Sequence, residues 1–166
     1  MKLQTTKLAM LGVRSLHLRT LGVLGAALAG LASANAVGID EEGSTLDPDI
    51  AAGRRAIEAK EWPVAIKALS SAALREPGSA DIQNWLGYAY RNTGNLPQAF
   101  EHYERALKLN PRHRGAHEYV GEAYLIAGRP EKAEQHLKAL QAICVLPCEE
   151  LNDLTEKIER YRQRKP

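Results

Sequence analysis

The chain has 166 residues, 45% hydrophobic, 5% aromatic and 25% charged, with a formal net charge of +2. Its basic excess is confined to the beginning: Lys2, Lys7, Arg14 and Arg19 lie in the acid-free residues 1–36, and without those four cations 18 basic residues face 20 acids, a net −2. That balance argues against a general nucleic-acid or anionic-membrane role.

In chain order, the basic start of residues 1–36 leads into the apolar run LGVLGAALAGLASA from Leu21 to Ala34, ending in Ala34-Asn35-Ala36. Basic start, short apolar middle and A-x-A finish describe a secretory signal peptide cleaved around Ala36. The run is too short and too rich in Gly and Ala for a membrane span. No cysteine follows it to carry a lipid, and no Arg-Arg pair marks the twin-arginine route. The expected product is exported, with the bacterial periplasm as the preferred compartment. A mitochondrial presequence is the competing reading, since acid-free, Arg-bearing segments serve there too. The polar stretch 37–45 (VGIDEEGST) reads as a flexible leader. What remains is about 130 residues, an ordinary single-domain length, with no membrane span expected in it.

Helices are expected near 47–60, 63–75, 80–93, 97–109, 112–127 and 130–144. Pro63 and Pro97 fall in first turns, where a missing N–H costs nothing, and Pro77-Gly78 and Asn110-Pro111 stop the helices before them. From Glu149 to Arg164, Leu151, Leu154, Ile158 and Tyr161 form one apolar stripe on an otherwise charged helix. Such a helix suits the capped end of a stack. The basic tail around Arg160, Arg162 and Lys165 reads as a solvated helix end, where the dipole favours cations.

The segment from Ala80 to His113 repeats with a shift of 34 residues. Gly87 falls on Gly53 and Gly121, Ala99 on Ala65 and Ala133, and Gly94 on Lys60 and Gly128. A period of this length means stacked helical hairpins. Glycine inside a helix costs about 1 kcal/mol against alanine, so three at one phase suggest that a partner helix needs the space. Small Gly87, Ala99 and Ala106 let two backbones approach, while Leu86, Tyr90 and Tyr103 fill what remains.

This pattern resembles the tetratricopeptide repeat family. The central copy supplies Leu86-Gly87, Tyr90, Ala99, Tyr103, Ala106 and Pro111, with Gln83 where a tryptophan is customary and Trp85 two residues on. The third copy supplies Val120-Gly121, Tyr124, Ala133 and Leu137, then departs at Leu140 and Val145. The first is degenerate, with Ala52-Gly53, Ala56, Ala65, Leu69, Ala72 and Pro77. The expected fold class is all-α: a superhelical stack of three antiparallel helix-turn-helix repeats (46–79, 80–113 and 114–147, within 46–148), closed by a capping helix and basic tail over 149–166.

The resemblance implies that first helices line a concave groove. Their groove-facing positions are Asp47, Ile50, Arg54 and Ile57, then Asp81, Asn84, Tyr88 and Arg91, then Gly115, Glu118, Glu122 and Leu125. The expected partner-binding set is Arg54, Asn84, Tyr88, Arg91, Glu118 and Glu122; Arg54, Asn84, Tyr88 and Arg91 are expected to be free of packing duty. The clamp by which some relatives hold a C-terminal carboxylate is not present as a set, because its positions read Ile50/Arg54, Asn84/Tyr88 and Glu118/Glu122. Trp85 and Tyr119 occupy matching positions and have two readings, an aromatic rim or packing between first helices.

Candidate chemistry is sparse. His113 and His117 are four apart, half the geometry of a zinc site if they share a helix face, but no third ligand stands at a recognisable spacing. The alternative for both is a polar surface role. His102 and His136 hold equivalent repeat positions, which speaks for packing or exposure. No phosphate loop or nucleophile-base signature is present, so no enzyme, catalytic residue, metal or cofactor is expected. Cys144 and Cys148 sit in Cys-Val-Leu-Pro-Cys before the capping helix. An even count in an exported chain favours a disulfide; free or metal-shared thiols and a redox pair are the alternatives. The expected function is an exported module binding a peptide or protein segment in its groove, as a monomer and without nucleic acid. The alternative is a structural or self-assembling envelope subunit whose groove is filled by its own or another copy's segment.

Overall fold

The structure, a computed structural model, describes residues 47–164. The expected signal segment with its expected cleavage around Ala36, the expected 37–45 leader and Lys165 lie outside the described residues. Seven α-helices account for nearly all of the rest: α1 Pro48–Glu58, α2 Trp62–Arg75, α3 Ala80–Asn92, α4 Leu96–Leu109, α5 Arg114–Ile126, α6 Pro130–Ile143 and α7 Glu149–Arg164. No strand occurs among the described residues. The hairpins α1/α2, α3/α4 and α5/α6 stack in sequence, α3 lies against both α1 and α5, and α7 covers α5 and α6.

Local signals set the helix ends. Asp47 caps α1, its carboxylate accepting from Asp49 N at 2.8 Å, and Pro48 opens the helix. Ser79 and Asn95 cap α3 and α4 in the same way. Arg75, at the end of α2, reaches back to Asp47 and Asp49 with contacts of 2.6–2.7 Å. That guanidinium holds the Asp47 carboxyl down at about 2. The turns between hairpin helices need left-handed backbone, at Gly94 (φ 79°), Gly128 (φ 72°) and, in the degenerate first copy, Lys60 (φ 58°). Glycine adopts that conformation without a Cβ penalty and lysine does not. The repeat phase is thus kept in the backbone where the residue has changed.

The small-residue phase does what its spacing suggests in two copies. A Cβ on Gly53 would come within 2.6 Å of Leu69, and one on Gly87 within 2.6 Å of the Tyr103 ring. Leu69 and Tyr103 are fully buried, each worth about 1.5–3 kcal/mol of transfer free energy. The third copy differs. A Cβ on Gly121 would meet Leu154 of α7 at 2.8 Å, and the equivalent Leu137 is only half-buried. Leu140, Leu154 and Ile158 form the core there, so the capping helix fills the space that α2 and α4 fill in their own repeats.

Two expectations about histidines fail. His113 precedes α5 rather than sharing a face with His117: it is the N-cap, its Nδ1 accepting from Ala116 N at 3.1 Å while its Nε2 meets Asp81 at 2.9 Å. This cap also starts α5 at Arg114, two residues later than the expected 112. His117 is buried, not a surface residue. Its Nε2 donates to the Pro111 carbonyl at 3.0 Å, so its Nδ1 accepts from His136 Nδ1 at 2.9 Å. Burial holds both imidazoles below their ordinary value, His136 down at about 4. His102, 34 residues before His136, likewise turns to its first helix, donating from Nδ1 to Gln83 at 2.9 Å and stacking on Tyr90.

Cys144 caps the end of α6 and is joined to Cys148, just before α7, by a disulfide with Cα atoms 6.0 Å apart. The bond ties the last hairpin to its cap. Free-thiol labelling of denatured, unreduced protein from its native compartment should therefore find none, and two labelled thiols would contradict the bond. The loop is short, so Cys144→Ser/Cys148→Ser should cost about 2 kcal/mol and leave the helices in place.

Candidate functional site

One face of the stack is formed by first helices. On it, α1 supplies Arg54, Ile57 and Glu58, α3 supplies Trp85 and Tyr88, and α5 supplies Tyr119, together lining a cleft of about 220 Å3. Each helix advances its groove residues by three or four positions, so residues of equal repeat phase on neighbouring helices fall side by side. The Arg54 guanidinium lies 5.4 Å from the Trp85 ring centre. Tyr88 and Tyr119 lie 4.8 Å apart, and Trp62 meets Tyr88 edge-on at 5.8 Å. Trp85, Tyr88 and Tyr119 are each half-buried, so both readings of Trp85 and Tyr119 hold at once: they pack and they also line open space.

Arg91 lies beneath the tyrosines rather than on the surface. Its guanidinium carbon sits 5.0 Å from the Tyr88 ring centre and 5.4 Å from that of Tyr119, and its side chain is only 8% exposed. Arg91 Nη1 donates to Glu122 Oε2, and Lys157 Nζ of α7 donates to Glu122 Oε1. The expectation that Arg91 is free of packing duty is corrected by this ion network, which ties α3, α5 and α7 together. Asn84 is corrected in the same way, being 4% exposed. A buried charge pair is costly to break from one side, so Arg91 and Glu122 serve the stack first.

The other assigned residues separate into two groups. Arg54 and Tyr88 meet in the aromatic cleft. Asn84 and Glu118 meet in an adjoining one, together with Glu149, Glu150 and Asp153 of α7. Glu118 is buried, and its carboxyl is pushed up to about 8, first by burial and then by the neighbouring Glu122 charge. Tyr119 is pushed up to about 12, again first by burial and then by Glu118. Sequence reasoning missed Trp62 and the α7 residues Glu149, Glu150, Asp153 and Lys157. The stripe Leu151, Leu154, Ile158 fixes which side of α7 is buried, and Asp153 and Lys157 flank that stripe four residues apart; this was the available signal.

Among the described residues, no helix is long and apolar enough to cross a membrane, and no three His, Cys, Asp or Glu side chains are placed to hold a metal ion.

Comparison with known proteins gives one family and a set of folds. Residues 80–113 match the model of the tetratricopeptide repeat. No curated protein matches the chain. Among solved structures, the TPR2B domain of yeast Sti1, determined as a complex with pHsp70, is 18% identical with a TM-score of 0.65, over 70% of this chain and 95% of that one. The type III secretion translocator chaperone SycD of Yersinia enterocolitica is 17% identical with a TM-score of 0.64, over 73% and 86%. PcrH, in complex with the chaperone binding region of PopD, is 19% identical with a TM-score of 0.63, over 71% and 91%. At these identities the likeness is one of fold.

Proposed function

From the premise that the chain is a tetratricopeptide-repeat protein, we propose that it is a binding module that takes a peptide or protein segment across α1, α3 and α5. The observation that carries this reading is the aromatic cleft. Three half-buried aromatic rings and Arg54 line one concavity spanning three consecutive first helices. Tyr, Trp and Arg are the residue types over-represented at binding hot spots, because they supply large rigid contact area with a polar end. Two of the structures with the same fold, TPR2B of Sti1 and PcrH, were determined with a bound partner, which supports the same use of the fold here. The acid-free start and Ala34-Asn35-Ala36 support export to the periplasm, and the module is proposed to act there as a monomer.

Selection of the full chain against a random peptide display library tests the reading. Tyr88→Ala should weaken the selected peptides by about 1–3 kcal/mol with little change in thermal midpoint, and Tyr88→Phe should weaken them less. Equal binding by Tyr88→Ala would show that the groove assignment is wrong.

A further inference from the structure

The second cleft, also about 220 Å3, lies between α3, α5 and the capping helix and shares Trp85 and Tyr119 with the aromatic one. Its charge is one-sided. Glu118 comes from α5, and Glu149, Glu150 and Asp153 come from α7. The cations nearby are already engaged: Arg114 Nε lies 3.4 Å from Glu150 Oε1, and Lys157 is held by Glu122. Glu118, Glu149 and Asp153 have no ion-pair partner among the described residues.

Independently of that cluster, Asn84 reaches the same cleft, only 4% exposed, and its Oδ1 is buried without a hydrogen-bond partner. Glu118, 7% exposed, also lines the cleft, and its carboxyl oxygens, unlike Asn84 Oδ1, are not sealed from solvent. Buried acceptors are almost always paired, and leaving one unpaired is costly. Asn84 Oδ1 is such an acceptor, and both Asn84 and Glu118 are contributed to the cleft by first helices. Gly115 keeps the cleft open: a Cβ there would come within 3.3 Å of Asn84 Nδ2.

We infer that this cleft takes the ammonium or guanidinium group of a lysine or arginine side chain belonging to the bound segment, an inference that rests on the groove reading above. An ammonium brings three N–H donors and a guanidinium five, with no acceptor to be left over. Bonds from either to the Glu118 carboxylate are charge-assisted, and Asn84 Oδ1 accepts a further bond once that amide turns toward the cleft. A metal ion is a poor occupant, since no three carboxylates or imidazoles among the described residues are placed to cage one. An anion would be repelled. The polarity is therefore opposite to that of a carboxylate clamp, and the two clefts side by side select an aromatic or apolar residue next to a basic one.

The site carries a pH signature. Glu118 faces Glu122 and Tyr119 on α5, Asn84 on α3, and Glu149, Glu150, Asp153 and Lys157 on α7. Burial and Glu122 raise its carboxyl to about 8, Asp153 and Glu150 adding to the rise and Lys157 opposing it. In the empty cleft at neutral pH Glu118 is therefore protonated, and an entering cation displaces that proton. Affinity then climbs as pH rises toward 8. Stability moves the other way. The unfolded carboxyl ionises near 4.5, so between 4.5 and 8 the folded state holds the extra proton and stability falls with rising pH. Glu118→Gln removes that slope while also removing the ligand's charge partner.

The test is an NMR titration of the full chain with Nα-acetyl-lysine methylamide, with the norleucine analogue as a control of the same shape and no charge. Saturable millimolar binding is expected, with shifts at the Asn84 side-chain amide, Gly115 and Tyr119 for the lysine probe only. Affinity should strengthen between about pH 6 and pH 8. Glu118→Gln should be at least as stable as the parent at pH 8 and bind the probe about tenfold more weakly, with Asp153→Asn intermediate. Equal shifts from the two probes, no saturable shift, or unchanged affinity in Glu118→Gln would overturn the inference. Should displayed peptides depend on Tyr88 while the two probes behave alike, the cationic cleft falls and the groove reading stands.

Discussion

Gly87→Leu is expected to unfold the central repeat, lowering stability by about 3 kcal/mol. The first added carbon alone would come within 2.6 Å of two atoms of the Tyr103 ring. That ring is fully buried among Ala99, Val120 and Ala123, so it has no rotamer to retreat into. Leucine has the better helix propensity, by roughly 0.8 kcal/mol over glycine, and packing outweighs it. The same change at Gly53 drives against Leu69; at Gly121 it drives against Leu154 and should dislodge the capping helix instead. Gly78→Ala is the control, with nothing within 4 Å of the new methyl. Urea unfolding followed by circular dichroism separates these variants. An unchanged midpoint for Gly87→Leu would mean that α3 and α4 are not packed at this register.

Arg91→Ala should be nearly as damaging, at about 3 kcal/mol. It strips Glu122 of its buried partner and leaves that carboxylate to Lys157, which is 36% exposed. Removing one side of a buried pair costs more than replacing both, because the remaining charge stays desolvated. Arg91→Met/Glu122→Leu should therefore recover most of the loss, and the double-mutant cycle measures the coupling. If Arg91→Ala unfolds at the parental midpoint and loses only peptide binding, Arg91 belongs to the recognition surface and not to the stack.

The contrast between these two residues shows what the sequence made legible. Gly87, Ala99 and Tyr103 could be read because hairpin packing imposes one period on every copy, and a residue that contradicts its neighbours, such as glycine in a helix, needs a reason. Six helices follow from that period and the seventh from its own apolar stripe, with ends displaced by no more than two residues. The third repeat was harder. Leu137 holds the phase of Tyr103, yet Leu154 arrives from a helix outside the repeat and takes the place under Gly121. Groove residues were legible as positions and not as environments. Arg54 and Tyr88 share an open cleft as their phase implies, whereas Arg91 is drawn down by Glu122, 31 residues away, whose other oxygen is held by Lys157, a further 35. Such pairings depend on how the cap docks, and no local spacing encodes them. The acidic cleft escaped for the same reason, three of its four carboxylates belonging to α7.

The account turns on the face made by α1, α3 and α5. Amide and side-chain NMR shifts of the full chain, recorded against a peptide selected from the display library, locate the bound segment directly. The account predicts one contiguous set of large shifts at Arg54, Trp85, Tyr88 and Tyr119, continuing to Asn84 and Glu118, with the outer surfaces of α2, α4 and α6 silent. Largest shifts on those outer helices, or around Arg160 and Arg162, would contradict it.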